Sequence, residues 1–209
     1  MAKIREHSTD RSGFGRERIL RRLLVPGTTR GKGKTLYRIA KEAGVAYGWS
    51  HRILKDLERR GAFKQSTLVD PAEAFTYWLE HHRAPMFRDY HVPDPALIIG
   101  KAALEYAATT YAADHVTTQY LFPKRWDLYI RAEDAREWHK AITKVGFVGE
   151  GNLRLLRHDP DVLITGGIRR DLMVVNVPQL ILDLLFEGGP CVEAAQYMIE
   201  RSYHAKTAI

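Results

Sequence analysis

The sequence predicts an α+β chain in two parts: a basic helical module, then a mixed α/β module. Three observations predict this. Positive charge is confined to the first third, where residues 1–65 carry 17 Lys/Arg against 6 Asp/Glu, while residues 66–209 carry 15 against 19. That same third holds three short runs of apolar residues at helical spacing. Beyond it, helix-like and strand-like runs interleave irregularly, as in an α+β module. The 209 residues suffice for one large domain or a small and a medium one, at ~100–200 residues per domain. A composition of 45% hydrophobic and 27% charged residues excludes global disorder. No apolar run approaches the ~18 residues of a membrane span. The first residues, with Lys3, Arg5 and Glu6, carry no apolar signal segment. The lone Cys191 excludes an intramolecular disulfide framework and a multi-cysteine zinc site. A soluble, cytoplasmic chain is expected.

Residues 1–14 read as a disordered basic tail and 15–70 as the basic module. From Arg16, Ile19, Leu20, Leu23 and Leu24 recur at helical spacing until Pro26-Gly27 stops the helix. A basic loop, Thr28–Lys34, follows. Thr35 caps a second helix whose apolar face is Leu36, Ile39 and Ala40, and Gly44 ends it. A third helix runs from Tyr47 or Gly48 to Arg60, burying Ile53, Leu54 and Leu57, with Gly61 as its stop. Three short helices with a glycine turn between the last two describe a helix-turn-helix. Ala62–Gln65 and Ser66–Val69 then form two short extended pieces, placed where a wing would follow. The run Ala43-Gly44-Val45-Ala46-Tyr47-Gly48, followed by Leu57-Glu58-Arg59-Arg60-Gly61, resembles winged-helix transcription regulators over roughly residues 15–70.

Docking geometry then picks out the interface. A recognition helix places its N-terminal residues near base edges in the major groove. Off the buried face of the third helix lie Tyr47, Trp49, His51, Arg52 and Lys55. Arg52 has the paired donors that suit a guanine edge, and Lys55 and Arg59 suit phosphates. Arg30, Lys32, Lys34, Thr35 and Arg38 would hold the neighbouring backbone, and Lys64 would reach a flanking phosphate from the wing. Trp49 fits the core as well as it fits the DNA face, and Arg60 reads as a solvated helix end. Gly31-Lys32-Gly33-Lys34-Thr35 mimics the end of a P-loop, but the first glycine of that motif would fall on Thr28 and no strand feeds it.

Residues 71–94 read as a linker helix, 71–82, with Ala74, Phe75, Trp78 and Leu79 on one side, and then a proline-marked connector. His81, His82 and His91 form a loose group without metal-binding spacing. Residues 95–209 read as the second module. Helices are expected at Pro95–Tyr111, Glu133–Val145, 178–187 and from Pro190 to about Tyr203. Strands are expected at Val116–Phe122, Trp126–Arg131, Leu153–Arg157, Val162–Thr165 and Leu172–Val177, with Gly166-Gly167 as a turn.

Arg125-Trp126-Asp127-Leu128-Tyr129-Ile130, then Glu133-Asp134, resembles the strand and helix of nucleotidyltransferase-like domains. Those enzymes hold metal with carboxylates at i and i+2, which share one face of a strand. Here the neighbours of Asp127 at that spacing are Arg125 and Tyr129. Asp171 and Asp183 are the remaining carboxylate candidates. Cys191 after Pro190 lacks a histidine partner. No catalytic residue, metal or cofactor is expected.

Gly151-Asn152-Leu153-Arg154-Leu155-Leu156, then Leu172–Leu185 with Val177-Pro178-Gln179-Leu180-Ile181-Leu182-Asp183-Leu184 at its centre, then Gly188-Gly189 and Glu193-Ala194-Ala195, resembles the AbiEi-like antitoxins of type IV toxin–antitoxin systems. The resemblance spans most of residues 15–203. Pro190-Cys191-Val192 departs from it where glycine and arginine are expected. It implies a winged helix followed by a degenerate nucleotidyltransferase-like domain. The function implied is a repressor that binds double-stranded DNA, with a nucleotidyltransferase toxin and a second copy of itself as further partners. A nucleotidyltransferase-like enzyme with a nucleic-acid-binding domain, or an RNA-binding protein, is the alternative.

Overall fold

A computed structural model describes residues 13–27 and 35–204. The described residues up to His82, together with those from Ile199 onward, form one compact unit, and Arg83–Met198 form another. The tail, residues 1–12, and the basic loop at 28–34 lie outside the described residues.

In the first unit, α1 (Gly15–Leu23), α2 (Leu36–Ala43) and α3 (Tyr47–Arg59) follow in order. The Thr35 hydroxyl accepts the Arg38 N–H at 3.3 Å and so caps α2. Gly44, at φ 68°, takes the left-handed conformation that ends it. Strands β1 (Phe63–Lys64) and β2 (Thr67–Leu68) pair antiparallel, Phe63 opposite Leu68. Their two-residue turn, Gln65-Ser66, has both φ angles positive (48° and 62°), which matches the twist of a tight hairpin. Glu58 on α3 accepts the Ser66 N–H and ties that turn down.

Asp70 caps α4 (Pro71–His81), accepting the Glu73 N–H at 3.0 Å, and proline occupies the first turn. Expected in a linker, α4 instead belongs to the core of this unit. Phe75 and Trp78 are wholly buried with Ile19, Leu20, Ile39, Ile53 and Leu57. The Tyr203 ring meets Phe75 edge-on at 6.0 Å, and its hydroxyl donates to the Leu24 carbonyl at 2.5 Å.

The second unit is built on a seven-stranded mixed sheet in the order β6-β3-β7-β5-β4-β9-β8. Its strands are β3 (Met86–His91), β4 (Tyr106–Thr109), β5 (Trp126–Ile130), β6 (Phe147–Val148), β7 (Leu153–Arg157), β8 (Gly167–Arg169) and β9 (Leu172–Val174). The pairs β5/β7 and β4/β9 are parallel and the others antiparallel. Helices α5 (Pro95–Ala102), α6 (Thr110–Thr117), α7 (Ala135–Ile142), α8 (Asp161–Ile164), α9 (Val177–Glu187) and α10 (Pro190–Ile199) complete it.

Alternation along the strands sorts the layers. Tyr106 meets Trp138 of α7 edge-on, and Tyr90 meets His139, so α7 covers one face. Thr109 and Tyr129 reach Asp183 of α9, and Thr110 at the start of α6 reaches Asp127, so α6 and α9 cover the other. No helix among the described residues is long and apolar enough to cross a membrane.

Five expectations change here. Met86–His91 is strand β3 rather than connector, inserted between β6 and β7. The helix expected over Pro95–Tyr111 stops at Ala102, where Ala103 turns left-handed at φ 50°, and Tyr106–Thr109 continues as strand. The strand expected at Val116–Phe122 does not form: Val116 and Thr117 close helix α6 and residues 118–122 are irregular, with Gln119 left-handed at φ 63°. Val162–Thr165 is the single turn α8, set up by Pro160, whose ring presets a helical φ, and the expected glycine turn contributes Gly167 to β8.

Candidate nucleic-acid interface

Helix α3 has one buried side, formed by Ser50, Ile53, Leu54 and Leu57. The opposite side carries Tyr47, His51, Arg52, Lys55 and Arg59, all exposed. Tyr47, His51 and Lys55 are spaced by four residues and so form one stripe. Trp49 is neither core nor free surface. It is half-buried, with the Arg16 guanidinium 5.8 Å and the Arg52 guanidinium 5.5 Å from its ring. That contact restricts Arg52, and among the described residues no carboxylate takes its donors.

Three of the expected phosphate ligands hold acidic neighbours on their own helices. Arg38 bonds Glu42 at 2.9 Å, Lys55 bonds Glu58 at 2.8 Å, and Arg59 pairs with Asp56. All three cations are more than half exposed. Exposed pairs of this kind are weak because solvent screens them, so exchanging the carboxylate for a phosphate costs little. The Lys55 hydrogen bond, then the Ser66 N–H, holds the Glu58 carboxyl below its ordinary pKa. Lys64 stands exposed on β1 of the hairpin. The Thr35 hydroxyl is occupied in capping α2. Arg30, Lys32 and Lys34 lie outside the described residues, as does most of the P-loop-like run.

Arg60 is exposed at the C-cap of α3, as expected of a helix end, and is also ion-paired. It bonds Glu73 at 3.2 Å and Glu80 at 2.5 Å and lies 5.1 Å from the Tyr77 ring, which ties α3 to α4. The Glu80 hydrogen bond raises its pKa further. Tyr37, which the sequence reading passed over, is 61% exposed on α2, and its ring lies 6.3 Å from that of Tyr47. Only its place at the start of the helix before the turn could have signalled it.

In the second unit the carboxylates are committed elsewhere. Asp127 on β5 is 1% exposed. Arg125 donates to both of its oxygens, at 2.6 and 2.9 Å, and the Thr110 hydroxyl donates to one. Arg125 also pairs with Glu187 at 2.9 Å, and Arg154 joins Asp89 at 2.6 and 3.1 Å. Burial opposes the Arg125 charge, but its hydrogen bonds to Asp127 and Glu187 prevail and raise its pKa. Asp183 accepts from Thr109 at 2.6 Å, Tyr129 at 3.0 Å and Gln179 at 2.8 Å. Asp171 sits exposed and left-handed (φ 62°) between β8 and β9.

Burial pushes the Cys191 thiol up, away from a reactive thiolate. The histidines serve separately: His81 contacts the Tyr77 carbonyl, His82 pairs with Glu17 and His91 stacks on Phe147. A cavity of about 370 Å³ between α5 and α7, lined by Leu97, Ile98, Lys101, Ala141 and Lys144, contains none of the sequence-predicted residues.

Neither a protein-family model, nor a curated protein, nor a solved structure matches this chain.

Proposed function

We propose that the chain is a sequence-specific regulator that binds double-stranded DNA, an antitoxin-type repressor in the terms of the AbiEi resemblance. In this reading the first unit is a winged helix: α3 enters the major groove, the β1–β2 hairpin is the wing, and Lys64 meets a flanking phosphate. The observation that carries it is the exposed face of α3. Tyr47, His51, Arg52, Lys55 and Arg59 stand there together, in the part of the chain that holds all its excess positive charge.

The roles follow from chemistry. Arg52, presented by its stack on Trp49, can offer two parallel donors to guanine. Leaving that stack costs ~0.5–1 kcal/mol at an exposed site, less than the ~1–3 kcal/mol of a good bidentate base contact. Arg38, Lys55 and Arg59 trade carboxylates for phosphates. The second unit, read as a degenerate nucleotidyltransferase-like domain, serves for pairing with a second copy or a toxin. Arg125 favours that reading over catalysis, since it takes the two Asp127 oxygens a metal would need.

The test is fluorescence anisotropy of the full chain on duplex DNA from upstream of its own gene, a scrambled duplex and an RNA duplex. A preference of ~10³-fold or more for the first is the expected result. Equal affinity for the two DNAs removes the specific-regulator reading, and tighter binding to RNA replaces it with the RNA-binding one.

A further inference from the structure

The outer surface of α2 and α3 carries three aromatic rings in a row. Tyr37, the second residue of α2, is 61% exposed, and Tyr47, the first of α3, is 45% exposed. Their centroids lie 6.3 Å apart at an interplanar angle of 47°. His51, one turn further along α3, lies 6.2 Å from Tyr47 at 38°. Among the described residues neither tyrosine hydroxyl makes a hydrogen bond. The core does not need these rings, since Ile39, Ile53, Leu54 and Leu57 close it beneath them. They lie at the N-terminal ends of the two helices flanking the turn, with the cationic side chains of Arg38, Arg52 and Lys55 on the same two helices.

Resting on the DNA-binding reading, we infer that Tyr37 and Tyr47, backed by His51, form an apolar wall that takes the 5-methyl group of thymine. The site therefore prefers major-groove edges containing A·T pairs. The thymine methyl is the one apolar group that a base pair presents in that groove. Ring faces supply contact area where hydrogen-bond donors would be wasted, and they lose little side-chain freedom on binding because each is already propped by its neighbour. Burying one methyl is worth roughly fourfold in affinity.

The test uses the full chain and two duplexes: alternating dA–dT, and the same duplex with deoxyuridine for thymidine, which differs only in the methyl. The expected result is binding to the thymidine duplex at least roughly fourfold tighter per methyl contacted. The Tyr37→Ala/Tyr47→Ala variant should bind both duplexes alike with an unchanged circular dichroism spectrum. The Tyr37→Phe/Tyr47→Phe variant should keep the discrimination, because the ring and not the hydroxyl makes the contact. Equal wild-type affinity for the two duplexes overturns this inference alone. Loss of discrimination in the phenylalanine pair also overturns it, since the hydroxyls would then be the contacting groups. Absence of binding to either duplex overturns this inference, and where the upstream duplex is not bound either, the DNA-binding reading falls with it.

Discussion

Replacing Arg125 with methionine tests whether Asp127 is a structural carboxylate. The arginine makes two hydrogen bonds to Asp127 and one ion pair to Glu187, and its side chain is only 17% exposed. Methionine fills similar space and supplies no donor. Among the described residues Asp127, 1% exposed, then keeps the Thr110 hydroxyl as its side-chain donor, with Arg154 as the cation opposite it on β7. Breaking a buried pair by removing one partner costs about 3–5 kcal/mol, a large share of the ~5–15 kcal/mol that holds a domain together. The readout is native-state hydrogen exchange at the Leu128 and Tyr129 amides, which reports β5 separately from the first unit. Protection should fall by about two to four orders of magnitude. The double variant Arg125→Met/Asp127→Leu should recover most of that loss, because no orphaned charge remains. A loss below ~1 kcal/mol, or a double variant worse than the single, would refute the reasoning.

Three further outcomes follow from the same structure. Gly151→Ala places a Cβ 2.4 Å from the Tyr90 carbonyl oxygen and 2.6 Å from the His91 Cα, and backbone atoms cannot move aside. It should cost ~1–3 kcal/mol or more, while Gly167→Ala, with nothing within 4 Å, should change little in the same urea titration. Glu58 and Glu80 both have lowered pKa values, through Lys55 and Arg60 respectively. Their contribution to stability is therefore full above the ordinary carboxylate pKa and is lost as pH falls through the lowered folded values. The gap in thermal midpoint between wild type and Glu58→Gln should close on acidification from neutral pH, and a constant gap would contradict the assignment. Arg52→Ala should cost ~1–3 kcal/mol on the preferred duplex and much less on random DNA. Equal losses on both would remove its role in reading a base.

Much of the first unit is legible because its punctuation is chemical. Thr35, Gly44 and Asp70-Pro71 cap or stop helices with groups that serve no other purpose there. Asn176-Val177-Pro178 does the same for α9. The second unit is harder to read where strands lack alternation. In β3 only Tyr90 is buried, so the strand shows no apolar alternation to read. In β4 the faces are both covered, so Ala107 and Ala108 are buried in succession without alternation and suit a helix as well as a strand.

The site was legible in the same measure. Spacing alone shows that Arg125 shares a strand face with Asp127. That Arg60 is held by Glu73 and Glu80, or Arg154 by Asp89, depends on contacts between distant elements that no local pattern records. Tyr37 carries no local signal, because docking geometry singles out the recognition helix and not the helix that precedes it.

The most direct test of DNA binding through the α3 face is the salt dependence of affinity on a random duplex, measured for the wild type and for Lys55→Ala and Arg59→Ala. Phosphate contacts release counterions, so log affinity should fall steeply and linearly with log salt, and each substitution should flatten the slope by roughly 1. A slope near zero, or a steep slope that neither substitution changes, would contradict docking through this face.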